Sequence, residues 1–355
     1  MIGIGLLTLV PGALGGSETY VRGLLETLAT DGELDYAVFA PPVAPEAGAG
    51  LPTVVVDEYR PAQTIPERLQ AMTWAAIRSE PLRTRFNAAD AVHFPLTIAL
   101  PRVEAPIAIT LHDVQHLDLP GMFPRAERMF RTVAWHTSAR RAQLVIVPSA
   151  FVRDRAVERL RLDPARVRVI PHGIDHALFS PRDTLSREQP PFLLYPAKAW
   201  PHKNHGRLLE AFALLRRERP ELRLVLTGGA GHPPQEGVEQ RKRVSLAELA
   251  ELYRRASALV FPSLYEGFGQ PPLEAMASGC PVACSNAASL PEVVGDAARL
   301  FDPESPKEIA AAVAEVLDDP GPWRERGLAR AAQFSWARSA REHEQAYREL
   351  LAARP

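Results

Sequence analysis

The sequence lacks a strong charge of either sign. Its 41 lysine and arginine residues nearly balance its 42 aspartate and glutamate residues, and the net charge is -1. No strong overall field is therefore available to recruit nucleic acid or an anionic membrane. Cysteine is also scarce, because Cys280 and Cys284 are the two examples in 355 residues. This excludes a disulfide framework and a cysteine-based zinc site, and we expect both thiols to be buried in a reducing compartment.

Long hydrophobic runs and several catalytic motifs are absent as well. No apolar run approaches the ~20 residues of a membrane span. Residues 1–15 are apolar but lack the basic start of a signal peptide, so we expect a buried strand in a cytosolic protein. The sequence has no Walker loop, G-x-S-x-G, G-x-G-x-x-G or H-E-x-x-H. These absences argue against P-loop enzymes, α/β-hydrolases, dehydrogenases and zinc proteases, and we expect no protein-bound metal.

The sequence does contain a regular alternation of short apolar segments with longer amphipathic ones. This alternation is typical of parallel strands, buried on both faces, that are connected by helices. It breaks at a polar, proline-rich segment over 181–191 and then restarts. The pattern therefore predicts an α/β protein with two doubly wound, Rossmann-like sheets.

A pattern of a helix end, a short strand and a proline recurs within residues 89–95, 141–149 and 255–263. Such a proline marks the place where the chain turns at the carboxyl edge of a sheet. Open α/β sheets bind their ligands at that edge. The segment that follows the third strand is therefore a candidate binding site.

That segment, SLYEGFGQPPLEAMASGCP, places Glu266 and Glu274 on either side of a glycine-rich turn. Gly267 and Gly269 allow backbone N–H groups to approach a ligand, and a helix predicted from about Pro272 adds those of its first turn. The turn is a candidate diphosphate site whose two carboxylates could accept hydrogen bonds from hydroxyl groups on either side, as a nucleotide sugar requires. Alternatively, the first glutamate is an ordinary turn residue and the second favours the helix start. The spacing alone leaves both interpretations open.

Two other loops carry candidate ligands for an anion. Lys198 and Lys203 lie between a predicted strand and a helix that should begin at about Asn204. Two cations there could neutralise a leaving diphosphate, although loop lysines are usually solvated. Gly15 and Gly16 separate the first strand from the first helix and would also permit close approach of backbone to a ligand.

Histidines follow two of the predicted strands. His112 and Asp113 end one apolar strand, where the histidine is either a polar group near the reacting atoms or a structural residue held by a backbone carbonyl. His172, Gly173 and Asp175 follow another strand, and we expect a turn there that borders the ligand cleft.

Together these segments resemble the retaining glycosyltransferases of family four, which have the GT-B fold. YEGFGQPPLEA matches the family's E-x7-E motif. The resemblance extends through GGSETY, VPSAFVRD, VIPHGID, YPAKAWPHKN and the long segment from VSLAELAELYRRA to ARLFDP, and so covers most of the chain. The combination is specific, whereas the glutamate motif alone would be weak.

The resemblance implies two Rossmann-like domains that face each other across a cleft. Residues 1–178 would form the acceptor-side domain, residues 179–335 would bind the nucleotide sugar, and a C-terminal helix within 336–355 would cross back to the first domain. The implied reaction is metal-independent transfer of a hexosyl group from a nucleotide-diphosphate sugar, for example a GDP- or UDP-linked one, to a hydroxyl acceptor with retention of configuration. No further cofactor and no enzymic nucleophile are implied.

The family's site residues carry over by position. Glu274 would bind the ribose, Glu266 the hexose hydroxyls, and His112 would lie by the anomeric centre, through its side chain or its backbone carbonyl. The implied catalytic residues are His112, Lys203 and Glu266. The implied donor-binding residues are Gly15, Gly16, Gly173, Lys198, Lys203, Glu266, Gly267, Phe268, Gly269, Gln270 and Glu274.

The sequence departs from the family at two positions. Lys198 stands where arginine is common, and an ammonium group cannot make the bidentate phosphate contacts of a guanidinium. Lys242 stands where glycine is usual. The alternatives are a GT-B sugar-nucleotide epimerase, which would form product without an acceptor, and a non-catalytic protein that binds sugar nucleotides.

The expected partners are a nucleotide sugar and a sugar or lipid-linked sugar acceptor, with no nucleic acid. Residues 126–142 form a basic amphipathic pattern. This pattern suits peripheral contact with the inner face of a membrane. The alternative is a helix that is solvated outside and packed inside.

Overall fold

In the computed structural model, the chain forms two compact units. The structure describes residues 1–59, 67, 79–182, 189–229, 231 and 233–352. Unit 1 comprises Met1–Gly173 and Trp336–Pro355, and unit 2 comprises Ile174–Ser335. Residues 183–188 of the predicted linker lie outside the described residues.

The described residues of unit 1 form a sheet of seven parallel strands in the order β3-β2-β1-β4-β5-β6-β7. Most of these strands are buried along their whole length, as the continuous apolar segments predicted. The strands are β1 (Ile2–Gly5), β2 (Tyr36–Ala40), β3 (Thr53–Val55), β4 (Ala91–Phe94), β5 (Ile107–Thr110), β6 (Leu144–Val147) and β7 (Val167–Val169). Its helices are α1 (Gly16–Asp31), α2 (Ser79–Phe86), α3 (Gln115–Asp118), α4 (Arg125–Arg141), α5 (Ala150–Leu160) and, after unit 2, α12 (Trp336–Ala352).

Unit 2 repeats this architecture with six parallel strands in the order β10-β9-β8-β11-β12-β13. The strands are β8 (Phe192–Pro196), β9 (Arg223–Thr227), β10 (Val238–Gln240), β11 (Ala258–Phe261), β12 (Val282–Ser285) and β13 (Arg299–Phe301). The helices are α6 (His205–Glu218), α7 (Leu246–Arg255), α8 (Gln270–Ala277), α9 (Leu290–Val294), α10 (Pro306–Asp318) and α11 (Pro320–Ala331). Cys280 and Cys284 are free and buried in its core. The predicted fold class, with two Rossmann-like parallel sheets, is confirmed.

The division between the units falls after Gly173, five residues before the boundary expected at Leu178. Ile174 is buried in the core of unit 2 and forms a parallel bridge with Ser335. The Arg254 guanidinium donates a hydrogen bond to the Leu178 carbonyl at 2.5 Å. These contacts hold the segment after Gly173 against unit 2.

The last helix, α12, packs against unit 1 although all of unit 2 precedes it in the sequence. Buried hydrogen bonds join it directly to α1 and β4, which are in turn bonded to Thr110 of β5. The Tyr20 hydroxyl lies 2.7 Å from His343 Nε2 and 2.8 Å from Thr110 Oγ1. The His93 ring bridges Thr110 Oγ1 at 2.8 Å and the Tyr347 hydroxyl at 2.7 Å. No described helix is long and apolar enough to cross a membrane.

A single carboxylate of α12 also completes the turn between α1 and β2. Glu344 is 3% exposed, and its Oε1 accepts hydrogen bonds from Glu33 N at 2.7 Å, Leu34 N at 3.0 Å and the Tyr36 hydroxyl at 2.6 Å. Burial together with this carboxylate raises the pKa of Tyr36 well above its usual value, so the tyrosine remains a donor. The bond from the Tyr36 hydroxyl is buried and the two backbone bonds are partly buried, so the donors depend on this carboxylate for an acceptor.

Replacing Glu344 with alanine should therefore destabilise the protein. We expect a loss of about 2–4 kcal/mol in the free energy of unfolding, because three donors lose a charged acceptor. Urea denaturation followed by circular dichroism measures this. The matched control is Glu342→Ala on the same helix, where an exposed ion pair with Arg338 at 2.8 Å is lost and a change of about 0.5 kcal/mol or less is expected. Equal losses in the two variants would contradict the structural role of Glu344.

Candidate active site

The candidate site of unit 2 lies where the winding of its sheet reverses direction. Strands β8 and β11 are neighbours at this point, while the chain proceeds from β8 to one edge of the sheet and from β11 to the other. The carboxyl ends of such a strand pair form the crevice in which doubly wound sheets bind ligands. The loop over 197–204 follows β8 and the loop over 262–269 follows β11, so topology brings the predicted lysines and glutamates to the same edge.

Lys203 and Glu266 meet at this edge. The ammonium Nζ lies 2.5 Å from the carboxylate Oε1, and each side chain is 14% exposed. The same Nζ lies 5.5 Å from the centre of the Phe261 ring at the end of β11. The partial burial of this pair makes it stronger than a surface ion pair and fixes both side chains beside the glycine-rich turn.

Ser289, a buried residue that precedes α9, holds the glycine-rich turn through two hydrogen bonds. The Ser289 Oγ lies 2.9 Å from the Glu266 carbonyl and 2.8 Å from the Phe268 carbonyl. Gly269 has a φ of 115°, and a Cβ at this position would lie 2.8 Å from Leu290 Cδ2. The turn therefore needs glycine for its conformation, and a larger residue would also have to displace the end of the Leu290 side chain.

Glu274 lies in the second turn of α8, which begins at Gln270 rather than near Pro272 as expected. Its side chain is buried, and the Tyr253 hydroxyl donates a hydrogen bond to Oε2 at 3.0 Å. Burial raises the pKa of the Glu274 carboxyl to about 7, and the hydrogen bond from Tyr253 opposes that rise. A ligand that donates further hydroxyl hydrogen bonds to this carboxylate would stabilise its ionised form.

The lysine loop is tied to the glutamate loop through the backbone. The Tyr195 hydroxyl donates to the Lys203 carbonyl at 2.6 Å. Asn204 adopts a left-handed conformation with a φ of 61°, and its Nδ2 donates to the carbonyls of Pro262 at 3.0 Å and Pro303 at 2.7 Å. Helix α6 accordingly begins at His205, one residue later than expected. These contacts fix the distance between the two loops without using the charged side chains.

Two predicted donor-binding residues of unit 2 differ from the simplest expectation. The Lys198 ammonium lies over the Trp200 ring, 5.2 Å from its centre, whereas Lys203 is the lysine paired with Glu266. The Phe268 side chain is buried and packs edge-on against Phe334 at 5.9 Å. Any contact of Phe268 with a donor therefore involves its backbone.

In unit 1, the predicted glycines lie at the start of α1. Gly15 precedes the helix with a φ of 58°, and Gly16 is its first residue. Within the part of the chain that the structure describes, no atom of another residue packs within 4 Å of a Cβ built at either position. Packing therefore does not demand glycine at Gly16, and the open space beside the N-terminus of a 16-residue helix suits the approach of an anion.

His112 follows β5, and a backbone carbonyl holds its ring, as the structural interpretation of this residue predicts. Its Nε2 lies 2.9 Å from the Pro95 carbonyl and its ring meets Tyr20 edge-on at 5.2 Å. Burial lowers the pKa of His112 to about 4, so the ring is neutral and the proton resides on Nε2. The His172 ring stacks on the Tyr20 ring, with 4.6 Å between the ring centres. Gly173 follows His172 and is the last residue of unit 1 before the chain enters unit 2. A catalytic role for His112 stays a prediction.

The structure thus brings Lys203, Glu266, the turn Gly267–Gln270 and Glu274 to one edge of unit 2. Gly15, Gly16, His112 and Gly173 belong to unit 1. Among the residues that the structure describes, no three His, Cys, Asp or Glu side chains cluster closely enough to hold a metal ion.

Comparison with known proteins identifies the family. The family model described as glycosyl transferases group 1 matches residues 178–333, and that described as Glycosyltransferase Family 4 matches residues 14–178. O-antigen chain mannosyltransferase B of Escherichia coli is 34% identical over 266 residues, which are 68% of this chain and 70% of that protein. This chain belongs to the group 1 glycosyltransferases.

Solved structures place the glycosyltransferase in the GT-B fold. Sucrose-phosphate synthase from Thermosynechococcus elongatus superposes with a TM-score of 0.78 at 22% identity, covering 99% of both chains. HepE from Anabaena, solved in complex with UDP-glucose, superposes with a TM-score of 0.74 at 16% identity, covering 98% of this chain and all of the other. At these identities the likeness concerns the fold alone.

Sequence reasoning missed the residues that support the site of this glycosyltransferase. They are Tyr195, Asn204, Tyr253 and Ser289. The first and third are aromatic residues in a strand and a helix, where the sequence pattern indicates only core packing. Asn204 carried a local signal, since asparagine directly before a helix is a common residue in left-handed conformations. The serine carried none, because its partners are backbone carbonyls more than twenty residues away in sequence.

Because the pKa of Glu274 is raised, we expect the free energy of unfolding to depend on pH. Between pH 4.5 and 7 the folded protein retains a proton that the unfolded chain releases, so stability falls as pH rises through this window. Glu274→Gln removes the titration but keeps an acceptor for Tyr253. We expect this variant to exceed the wild type at pH 8 by up to about 3 kcal/mol and to match it near pH 4.5.

Thermal melts of the ligand-free protein from pH 4.5 to 8 measure this difference. The matched control is Glu221→Gln, an exposed turn residue that should leave the pH profile unchanged. Parallel profiles for the wild type and Glu274→Gln would show that the carboxyl is not held in a destabilising environment.

Proposed function

We propose that this glycosyltransferase moves a mannosyl group from a nucleotide-diphosphate sugar to a hydroxyl group of a glycan, with retention of anomeric configuration and without a metal ion. The paired Lys203 and Glu266 beside the rigid turn before α8 carry the proposal. The 34% identity to an E. coli protein named as an O-antigen mannosyltransferase supports the sugar and the class of acceptor.

The donor would lie along the edge of unit 2 with its diphosphate beside the turn Gly267–Gln270. Lys203 is paired with Glu266 next to this turn. In the complex its ammonium group would also form hydrogen bonds with the phosphate oxygens, and its bond to Glu266 would weaken. The α8 N-terminus would add the partial positive charge of its dipole. Glu266 would then be available to accept hydrogen bonds from the hexose hydroxyls.

The ribose would lie on the other side of the diphosphate, against Glu274. This carboxylate is buried and has one hydrogen bond from Tyr253, so ribose hydroxyls would supply the further donors that an ionised carboxylate requires. The ionised carboxylate would bind the ribose hydroxyls better than the protonated one, and the pKa of Glu274 is about 7. Donor affinity should therefore rise with pH through this range.

In the proposed reaction, the bond between the anomeric carbon and the diphosphate oxygen breaks while the acceptor oxygen bonds to the same face of that carbon. The acceptor proton passes to the departing diphosphate. Lys203 and the helix dipole would stabilise the charge that develops on the diphosphate. Neither glutamate is required as a nucleophile, since one is paired with the lysine and the other is buried against Tyr253.

Two variants should separate the roles of the glutamates. Glu274→Ala should weaken nucleotide affinity about tenfold, since the ribose loses a charged acceptor. Glu266→Ala should lower kcat about a hundredfold with a smaller effect on nucleotide affinity, because its contacts bear on the reacting sugar. Calorimetric titration with GDP and UDP measures affinity. A coupled assay of nucleoside diphosphate release from GDP-mannose and UDP-glucose measures turnover.

The turnover assay and NMR of the product test the remaining parts of the proposal. Activity should survive EDTA, and the product should retain the anomeric configuration of the donor by NMR. An exposed glutamate, in Glu221→Ala, is the control and should leave both readouts unchanged. Full activity in both site variants would overturn the assignment. Product formation without any acceptor would favour the epimerase instead.

We also propose peripheral contact between the exposed stripe of α4 and an anionic bilayer. Met129 and Val133 are 65% and 62% exposed. At ~100° per residue, these side chains and the exposed Arg125 and Arg140 fall within about 80° of arc along about 22 Å of helix. Neither arginine side chain has an acidic partner among the described residues. Apolar side chains flanked by cations are typical of helices that lie in a membrane interface.

Flotation with vesicles measures this contact. The protein should float with vesicles of phosphatidylcholine and phosphatidylglycerol and not with phosphatidylcholine alone. Replacing both Met129 and Val133 with serine should lower the bound fraction about tenfold. Val43→Ser removes another exposed apolar side chain of unit 1, which is 54% exposed, and should have no effect. Equal flotation of the stripe variant and the wild type would exclude this surface.

A further inference from the structure

Trp200 is an exposed aromatic residue at the candidate site, outside the core of unit 2. It lies in the lysine loop after β8 and is 46% exposed. Among the described residues, every other phenylalanine, tyrosine and tryptophan is buried or half-buried. Tryptophan carries a large apolar surface, so its exposure at a ligand-binding edge points to a ligand rather than to stability.

The position of this tryptophan is fixed by its own backbone. Trp200 N donates to the Lys198 carbonyl at 2.8 Å, and its carbonyl accepts from Lys203 N at 2.9 Å. Leu264 N donates to the His202 carbonyl at 2.8 Å, which joins this turn to the glutamate loop. The indole is therefore three residues from Lys203 on a turn that cannot move independently of the candidate site.

The surroundings of the indole combine a flat apolar surface with polar groups. The Lys198 ammonium lies 5.2 Å from the centre of the Trp200 ring. The centre of the His202 ring lies 5.7 Å from the centre of the Trp200 ring, and the two ring planes form an angle of 36°. A pyranose ring has the complementary chemistry, because one face presents C–H groups while its edge presents hydroxyls. An aromatic plane beside convergent polar groups is a recurring arrangement in small-molecule sites.

We propose that Trp200 is a stacking platform for a pyranose ring at the edge of unit 2. The proposal rests on the proposed function and extends it, since it assigns a saccharide contact to a residue that neither the glutamate motif nor the lysines predict. The ring could belong to the hexose of the donor or to the terminal sugar of the acceptor. The two sources share the same chemistry and are separated by the ligands used.

Titrations of the intact protein with four probes test the platform. The probes are GDP, UDP, GDP-mannose and methyl α-D-mannopyranoside. Trp200→Ala should leave the affinities for GDP and UDP unchanged and weaken the binding of one of the two sugar probes about tenfold. A selective loss with GDP-mannose identifies the donor hexose as the stacked ring, and a selective loss with the methyl mannoside identifies the acceptor sugar. Trp200→Phe should recover most of the lost affinity, because a smaller aromatic face remains.

Tryptophan fluorescence gives a second readout that a purely structural role would not move. The emission change produced by the bound sugar should disappear in Trp200→Phe and persist in Trp323→Phe, which removes a half-buried tryptophan of the same unit. If Trp200→Ala binds both sugar probes as the wild type does, or if neither probe binds the wild type, the platform is wrong. An equal loss of GDP or UDP affinity in Trp200→Ala would also overturn it, since the indole would then support the nucleotide site.

Failure of this proposal is distinguishable from failure of the proposed function. Normal nucleotide binding and transfer in Trp200→Ala with unchanged sugar affinity would remove only the platform. Binding of methyl mannoside that depends on Trp200, without binding of any nucleotide, would keep the platform and remove the donor assignment.

Discussion

The reversal of winding direction within each sheet is the constraint that positions the candidate binding residues of each unit. In unit 2 it places the ends of β8 and β11 side by side, so that Lys203 and Glu266 can pair although 63 residues separate them. In unit 1 the equivalent reversal lies between β1 and β4, next to the loop that carries Gly15 and Gly16. The charged groups are thus brought together by strand order, and the hydrogen bonds of Asn204 and Ser289 then fix the loops that bear them.

The sequence was sufficient to predict the fold because its strands are buried on both faces and appear as continuous apolar segments. It failed where that signal is weak. Strand β10 has the sequence VEQ and is only partly buried, and β13 and α11 also lack a clear apolar pattern. The structure divides the chain after Gly173, and the bridge between Ile174 and Ser335 at this division joins positions far apart in sequence.

For the candidate site, sequence predicted positions better than partners. Glu266, Glu274 and Lys203 were located by their places after strands and around glycines. Their environments depend on side chains from other elements, such as Tyr253 beside Glu274, and no local pattern specifies these. The His112 ring shows the same limit, since its bond to the Pro95 carbonyl depends on the packing of two neighbouring strands.

The position of α12 also has a consequence for biosynthesis. Ribosomes release the chain from its first residue onwards, and domains generally fold as they emerge. Every residue of unit 2 is available before Glu344 and Tyr347, which complete the buried hydrogen bonds of unit 1. Unit 1 begins first but is completed only after unit 2, and a nascent chain that stalls within the seventeen residues of α12 would carry a complete unit 2 and an incomplete unit 1.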